Sequence, residues 1–271
     1  MKRNEQQALR AERYRVYVTT HRGMARLNNE DNFTVNNISK RLESRNTDFS
    51  DVYDAPLLAA VFDGMGGESK GEYASYISSK AAKSLYFSMK ATPDAPIDAL
   101  AAAFVQRAND EIRAFLEDNN CSTGGSTMVA GIFKNEIIYP FSIGDSRIYL
   151  YRNEQLTQIS KDQTLAMKKV EANIYTLEEA ERSPDSHRLT AFLGVDYNRQ
   201  GLAAQYYEPI VMQRSDKLLL CSDGLYDELS AGDIRDIIRN HPDNPTMALV
   251  KAALQSGGSD NVTCVLIERE I

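Results

Sequence analysis

Four strand-like runs, Ser126–Lys134, Glu136–Ile143, Arg147–Arg152 and Gln155–Ser160, follow one another through connections too short to hold a helix. Parallel pairing needs a crossover of about a dozen residues or more, so this spacing predicts antiparallel neighbours. Two long helical patterns come before the meander. Gly71–Met89 places Ala74, Ile77, Ala81 and Leu85 on one face. A second pattern starts near Asp94 with Pro96 in its first turn, and continues through Ile97, Leu100, Ala101, Phe104, Ala108, Ile112 and Phe115. Such stripes are core packing and carry no chemistry. Further helical patterns cover Ala231–Arg239 and Thr246–Leu254. Strands grouped with strands and helices with helices predict an α+β fold, a sheet sandwich with helices outside, and not a Rossmann alternation.

The remaining strands read from alternation and apolar runs: Tyr14–Thr20, Phe33–Val35, Leu57–Phe62, Lys217–Cys221 and Val262–Ile267. Residues 36–55 are polar and read as a loop. Residues 1–12 read as a polar tail ahead of one domain covering 13–271. Residues 161–200, rich in charge and holding Pro184, read as a helical insertion over one sheet edge.

Several of these strands share a habit at their ends. Leu57–Phe62 closes on Asp63-Gly64-Met65-Gly66-Gly67, and Lys217–Cys221 closes on Ser222-Asp223-Gly224. Glu30-Asp31 lies just before a strand, Asp260 leads into the last one, and Asp145 occupies a tight turn within the meander. A buried strand that delivers a carboxylate to its own exit puts that carboxylate on a rigid support, and the glycines let backbone approach a ligand closely. Any one of these sites reads as an ordinary turn, since Asp and Gly are turn formers. Five together, each against an apolar strand, are better explained by a shared metal centre, because clustered carboxylates repel unless cations neutralise them.

Composition narrows the metal and excludes other classes. The chain has 271 residues, 42% hydrophobic and 25% charged, and its 31 basic and 38 acidic residues leave a formal charge of −7. No basic stripe marks a nucleic-acid surface, although Lys2, Arg3, Arg10, Arg13 and Arg15 make the N-terminus locally basic. No apolar run follows them, so a secretory signal or membrane span is not expected. Cys121, Cys221 and Cys264 lack metal spacing and read as reduced thiols of a cytoplasmic protein. His21, His187 and His241 stand far apart, which argues against a histidine-rich zinc site. Carboxylates must then hold the metal, and they favour hard ions such as Mg²⁺ or Mn²⁺. A cysteine-based phosphatase needs an arginine in the loop after its cysteine, whereas Cys221 is followed by Ser222-Asp223-Gly224. No Gly-Lys-Ser/Thr sequence marks a P-loop enzyme.

The ordered series Arg26…Glu30-Asp31-Asn32-Phe33, Val61-Phe62-Asp63-Gly64-Met65-Gly66-Gly67, Gly124-Gly125-Ser126-Thr127, Ile143-Gly144-Asp145-Ser146-Arg147, Cys221-Ser222-Asp223-Gly224-Leu225-Tyr226-Asp227 and Ser259-Asp260-Asn261-Val262-Thr263 resembles the PPM family, the metal-dependent protein serine/threonine phosphatases also called type 2C. The resemblance runs from about residue 14 to residue 268. Leu189–Gly194 also resembles the segment that closes the family's mobile flap, here about 161–200.

The resemblance implies a four-layer αββα sandwich of two antiparallel sheets, with two Mn²⁺ or Mg²⁺ ions at one end. Asp63 would bridge the ions, with Asp223 and Asp260 on the first, and Glu30 and the Gly64 carbonyl on the second. Asp31 would orient water from the outer shell, and Asp145 with Asp223 would hold a weaker third ion. Asp63 and Asp223 would be the catalytic carboxylates, and Arg26 would grip the substrate phosphate. The implied partners are phosphoserine and phosphothreonine proteins, opposite a serine/threonine kinase, for an enzyme acting as a monomer. Met65 departs from the eukaryotic branch, which carries histidine there as its proposed general acid, and matches the bacterial Asp-Gly-Met-Gly-Gly. The competing reading is a regulator that binds phosphoproteins on the same fold. Filled ligand positions speak against it.

Overall fold

A computed structural model describes residues 12–66, 70–121, 123–196 and 201–270. All of the 1–12 tail except Glu12, and Gly67 of the glycine run, lie outside the described residues. The chain opens with strands β1 (Arg13–His21), β2 (Asn32–Val35), β3 (Ile38–Ser39), β4 (Thr47–Asp54) and β5 (Leu57–Phe62). A two-residue β6 (Gly64–Met65) precedes helices α1 (Lys70–Ala91) and α2 (Ile97–Asp118). Then come β7 (Gly125–Ser126), β8 (Met128–Lys134), β9 (Ile137–Ile143), β10 (Arg147–Arg152) and β11 (Gln155–Gln158). The insertion contains α3 (Leu165–Glu171), α4 (Leu177–Arg182) and a 3-10 turn at Pro184–His187. Short β12 (Gln205–Tyr206) and β13 (Ile210–Val211) lead to β14 (Lys217–Cys221), α5 (Asp223–Tyr226), α6 (Ala231–Asn240), α7 (Pro245–Ser256) and β15 (Val262–Arg269).

Two large antiparallel sheets result, and β6 pairs with β7 in a separate two-stranded one. One has the order β11-β10-β14-β15-β1-β4. The other runs β12-β9-β8-β5-β2-β3, with β13 also paired to β9. Alternation along β5 explains the layering. Leu57, Ala59 and Val61 enter the core between the sheets with Val16, Val18, Leu218 and Ile267. Leu58, Ala60 and Phe62 face the other way, onto Ala81, Ala82, Phe104 and Ile112 of α1 and α2. Burial on both faces is why β5 is apolar without interruption. On the far side of the first sheet, Leu219, Cys221, Cys264 and Leu266 pack on Ile234, Ile238, Leu249 and Ala253 of α6 and α7. The expected four-layer α+β sandwich is present. No helix among the described residues is long and apolar enough to cross a membrane.

The structure corrects three sequence expectations. Residues 36–55 are not simply a loop, because β3 and β4 lie within them. β4 pairs with β1 from Arg13↔Asp54 to Thr20↔Thr47. Its Asp48, Asp51 and Asp54 are exposed along a sheet edge, where charge discourages pairing with another chain, and those charges hid the strand. The meander is also not one run of neighbours. β8 pairs β9 and β10 pairs β11, but β9 and β10 belong to opposite sheets. The turn at Gly144–Ser146 therefore crosses the sandwich, and β10 finds its partner in β14. Finally, Pro96 caps α2 from just outside and does not sit in its first turn.

Candidate metal centre

Register places the predicted carboxylates at one end of the sandwich. His21 at the end of β1 faces Val262 at the start of β15, and Cys221 at the end of β14 faces both Cys264 and Arg147. In the second sheet Asn32 faces Phe62, and Met128 faces Ile143. Glu30 and Asp31 precede β2, Asp63 leaves β5, Asp145 joins β9 to β10, Asp223 opens α5, and Asp260 precedes β15. Antiparallel pairing thus turns carboxylates scattered across the chain into one group.

Their environment disfavours charge. Asp63 is pushed well above the usual carboxylate range, first by burial and then by Asp223, Asp31, Asp145 and Asp260. Asp223 is raised by burial and by Asp260, and is in hydrogen-bonding contact with Asp63. Burial, then Asp223, raises Asp145 in the same way. Asp31 is fully buried and pushed up to about 7 by burial, although the Ser222 hydroxyl opposes the shift. Burial also raises Glu30, against the pull of Arg26.

Hydrogen bonds fix these groups from behind. Ser222 Oγ donates to Asp31 Oδ2 at 2.7 Å and accepts from the Thr263 amide at 2.9 Å. Asp31 Oδ1 is buried and makes no hydrogen bond. Asn261 Oδ1 accepts from the Glu30 amide at 2.7 Å, while Asn261 Nδ2 donates to the carbonyls of Arg22 and Asn28 at 2.8 and 2.9 Å. The loop carrying Arg26 and Glu30 is thereby tied to the loop carrying Asp260. Arg26 Nη2 reaches Asp260 Oδ2 at 2.5 Å with its side chain 55% exposed. At Gly64 a Cβ would come within 2.1 Å of the Gly71 carbonyl and 2.6 Å of the Glu30 carbonyl, so only glycine lets the exit of β5 approach α1 and Glu30 this closely.

The residues present fit hard divalent ions. The donors are carboxylates and a backbone carbonyl, the set that Mg²⁺ and Mn²⁺ accept. An orphaned buried oxygen on Asp31, and the carboxylates of Asp31, Asp63, Asp145 and Asp223 raised by burial and then by acidic neighbours, are what bound cations and their water would relieve.

Sequence reasoning passed over one side chain at this site. His187, from the 3-10 turn of the insertion, joins Asp223 and Asp227, with one ligand atom of each lying within 4.8 Å of the others. Its Nδ1 stands 3.7 Å from Asp227 Oδ2, and partial burial of the Asp227 carboxylate together with Asp223 raises it above the usual range, although the residue is exposed. Among the described residues this is the one group of three or more histidine, cysteine or acidic side chains so tightly drawn together. The predicted carboxylates are spread more widely. The motif Asp223…Asp227 was visible in the sequence, but nothing there brought His187 to it. His21 is elsewhere occupied, with Nδ1 accepting from the Gly23 amide at 3.0 Å. A cleft of about 700 Å³ at the opposite end of the first sheet holds Arg15, Lys217, Glu268 and Glu270, whose charges pair among themselves.

A four-layer sandwich of two antiparallel sheets with carboxylates gathered at one end of its strands is the class of protein that fold and site define. Residues 44–259 match the family model described as protein phosphatase 2C. The chain is 32% identical over 261 residues to the serine/threonine protein phosphatase PstP of Mycobacterium tuberculosis, covering 94% of this chain and 45% of that protein. It therefore spans about half the length of that relative. It is 31% identical to the protein phosphatase PhpP of Streptococcus pneumoniae, covering 78% of this chain and 85% of that one. The solved structure of Mycobacterium tuberculosis PstP/Ppp superposes with a TM-score of 0.80 at 30% identity, covering 96% of this chain and all of that one. A structure of the PstP catalytic domain in complex with two manganese ions gives a TM-score of 0.76 at 29% identity. This chain belongs to the protein phosphatase 2C family.

Proposed function

We propose that this chain hydrolyses phosphoserine and phosphothreonine in proteins with the help of bound Mn²⁺ or Mg²⁺. One observation carries the reading: Asp31, Asp63, Asp145, Asp223 and Asp260 stand at the ends of separate strands on one side of the sandwich, close enough that burial and the other four push Asp63 up. The related PstP domain with two manganese ions supports it. Asp63, Asp223, Asp260, Glu30 and the Gly64 carbonyl would hold two ions, Asp145 and Asp223 a weaker third, with Asp31 in the outer shell. When bound, such ions acidify water and offset charge on the phosphoryl oxygens.

The remaining work falls to protein groups. Arg26 offers a planar guanidinium whose two-point contact with phosphate a lysine would not reproduce. Its exposure and single bond to Asp260 leave it able to turn toward a substrate. The clamps from Ser222 and Asn261 hold Asp31 and Glu30 in place before any ligand arrives. Met65 provides no proton for the leaving group. We further take residues 13–271 as one catalytic domain with 161–200 as its flap, acting as a monomer against a kinase. Cys221 and Cys264, buried and unpaired, are in keeping with a reducing cytoplasm.

A regulator that only binds phosphoproteins is disfavoured, because each position expected to hold metal carries a donor. The deciding experiment is hydrolysis of a phosphothreonine peptide with Mn²⁺ and with EDTA. Release of phosphate that requires Mn²⁺ supports the enzyme. Binding without turnover in Mn²⁺ would select the regulator.

A further inference from the structure

Asp145 sits in a turn whose two neighbours are anchored to different parts of the molecule. Ser146 Oγ shares a 2.7 Å hydrogen bond with Thr127 Oγ1, and Thr127 in turn holds Asp63. Gly144 has φ +102°, and a Cβ there would lie 2.7 Å from the Thr127 Cβ, so it is wedged against the same threonine. Its other side belongs to Gln163. The Gly144 amide donates to Gln163 Oε1 at 2.7 Å, and the Gly144 carbonyl accepts from the Gln163 amide at 2.9 Å.

The other groups of Gln163 face the insertion and the segment after it. Its carbonyl accepts from the Thr190 amide at 2.8 Å and from Thr190 Oγ1 at 3.1 Å, and its Nε2 donates to the Ala203 carbonyl at 2.6 Å. The Leu165 amide bonds to the Arg188 carbonyl at 2.8 Å, so the two arms of the insertion meet at this point. The preceding residue, Asp162, is gripped by Arg147, with Nη2 to Oδ2 at 2.7 Å, and the Arg147 guanidinium lies 3.6 Å over the Tyr226 ring. Tyr226 itself donates to the Asp145 carbonyl at 3.0 Å.

We propose that Gln163 is a positioning residue through which the flap insertion sets the Asp145 carboxylate, and with it the affinity of the weakly held ion. The proposal rests on the reading of Asp145 as a ligand of that ion. A ligand turn gripped on one flank by the clamp on Asp63 and on the other by the insertion must shift when the insertion shifts. Ligand distances at metal sites fall within about 0.2 Å of their standard values, so a shift of the turn is felt at the ion. By linkage, an ion held at Asp145 must steady the insertion in return.

The test is Mn²⁺ titration calorimetry of the full chain, with hydrogen exchange across residues 161–190. Outer-shell changes commonly cost 10–100-fold in metal affinity, so Gln163→Met, which keeps the volume but removes both the acceptor for Gly144 and the donor to Ala203, is expected to weaken the weakest binding step by about tenfold. Gln163→Glu keeps the acceptor for Gly144 but sets a second carboxylate oxygen against the Ala203 carbonyl, so it is expected to bind between wild type and Gln163→Met. In wild type, filling the weakest step should slow exchange in 161–190, and in Gln163→Met it should not. If Asp145→Ala leaves the weakest step intact, the reading of Asp145 fails and this inference falls with it. If Asp145→Ala removes that step while Gln163→Met binds like wild type, only the role of Gln163 is overturned. Wild-type exchange that ignores Mn²⁺ overturns it as well, whether or not the variants fold.

Discussion

Thr127 and Asp63 hold each other through two reciprocal hydrogen bonds: the Asp63 amide donates to Thr127 Oγ1 at 3.1 Å, and the Thr127 amide donates to the Asp63 carbonyl at 2.8 Å. The same hydroxyl meets Ser146 Oγ at 2.7 Å. Thr127→Val keeps the shape and removes the oxygen, leaving the part-buried Asp63 amide and the buried Ser146 hydroxyl without their partner at a cost of about 1–3 kcal/mol. The expected result is a Tm lower by several degrees and weaker Mn²⁺ binding. Scanning calorimetry and titration calorimetry check both. Thr127→Ser should restore the binding.

Asp63→Asn and Asp223→Asn are expected to abolish turnover while leaving the metal-free protein at least as stable as wild type. Each removes one charge from a set of mutually repelling carboxylates. Melting in EDTA beside activity in Mn²⁺ is the measurement. A variant that keeps substantial Mn²⁺-dependent activity would mean that the position is only a turn.

The pH dependence of stability has a definite sign. Asp31 holds its proton up to about 7 in the folded state, against an ordinary value of 3.8. Between those values the folded chain binds more protons than the unfolded one, so stability conferred at low pH is lost as pH rises toward 7. The size is on the order of a few kcal/mol, since a tenfold change in proton affinity is worth about 1.4 kcal/mol. In EDTA, urea unfolding should show stability falling between about pH 4 and pH 7. Asp31→Asn should flatten that fall, and saturating Mn²⁺ should oppose it.

With methionine at position 65, leaving-group protonation lacks a side chain there, and general acids contribute about a hundredfold or more to such steps. The kcat values for aryl phosphates should therefore depend steeply on leaving-group pKa. Met65→His is expected to flatten the slope by supplying an imidazole. Equal slopes in the two proteins would show that position 65 does not face the leaving oxygen.

What the sequence determined by itself was the set of strands and helices built on strong local patterns, and the place of the candidate carboxylates at strand ends. β5 and β14 are legible because burial on both faces makes them apolar throughout. α1 and α2 are legible because one face repeats every turn. Tertiary structure alone decided which strands became partners. β9 and β10 are separated by three residues yet lie in different sheets, and the acidic β4 is a strand because β1 offers it an edge. It alone also decided the supporting roles of Ser222, Asn261, Thr127 and Gln163, and brought His187 to Asp223 and Asp227. The physical reason is the range of the interactions. Periodic burial acts between residues a few positions apart and leaves its mark on the sequence. A hydrogen bond such as Ser222 to Asp31, 191 positions apart, needs one donor and one acceptor in the right place and leaves no pattern until the chain has folded.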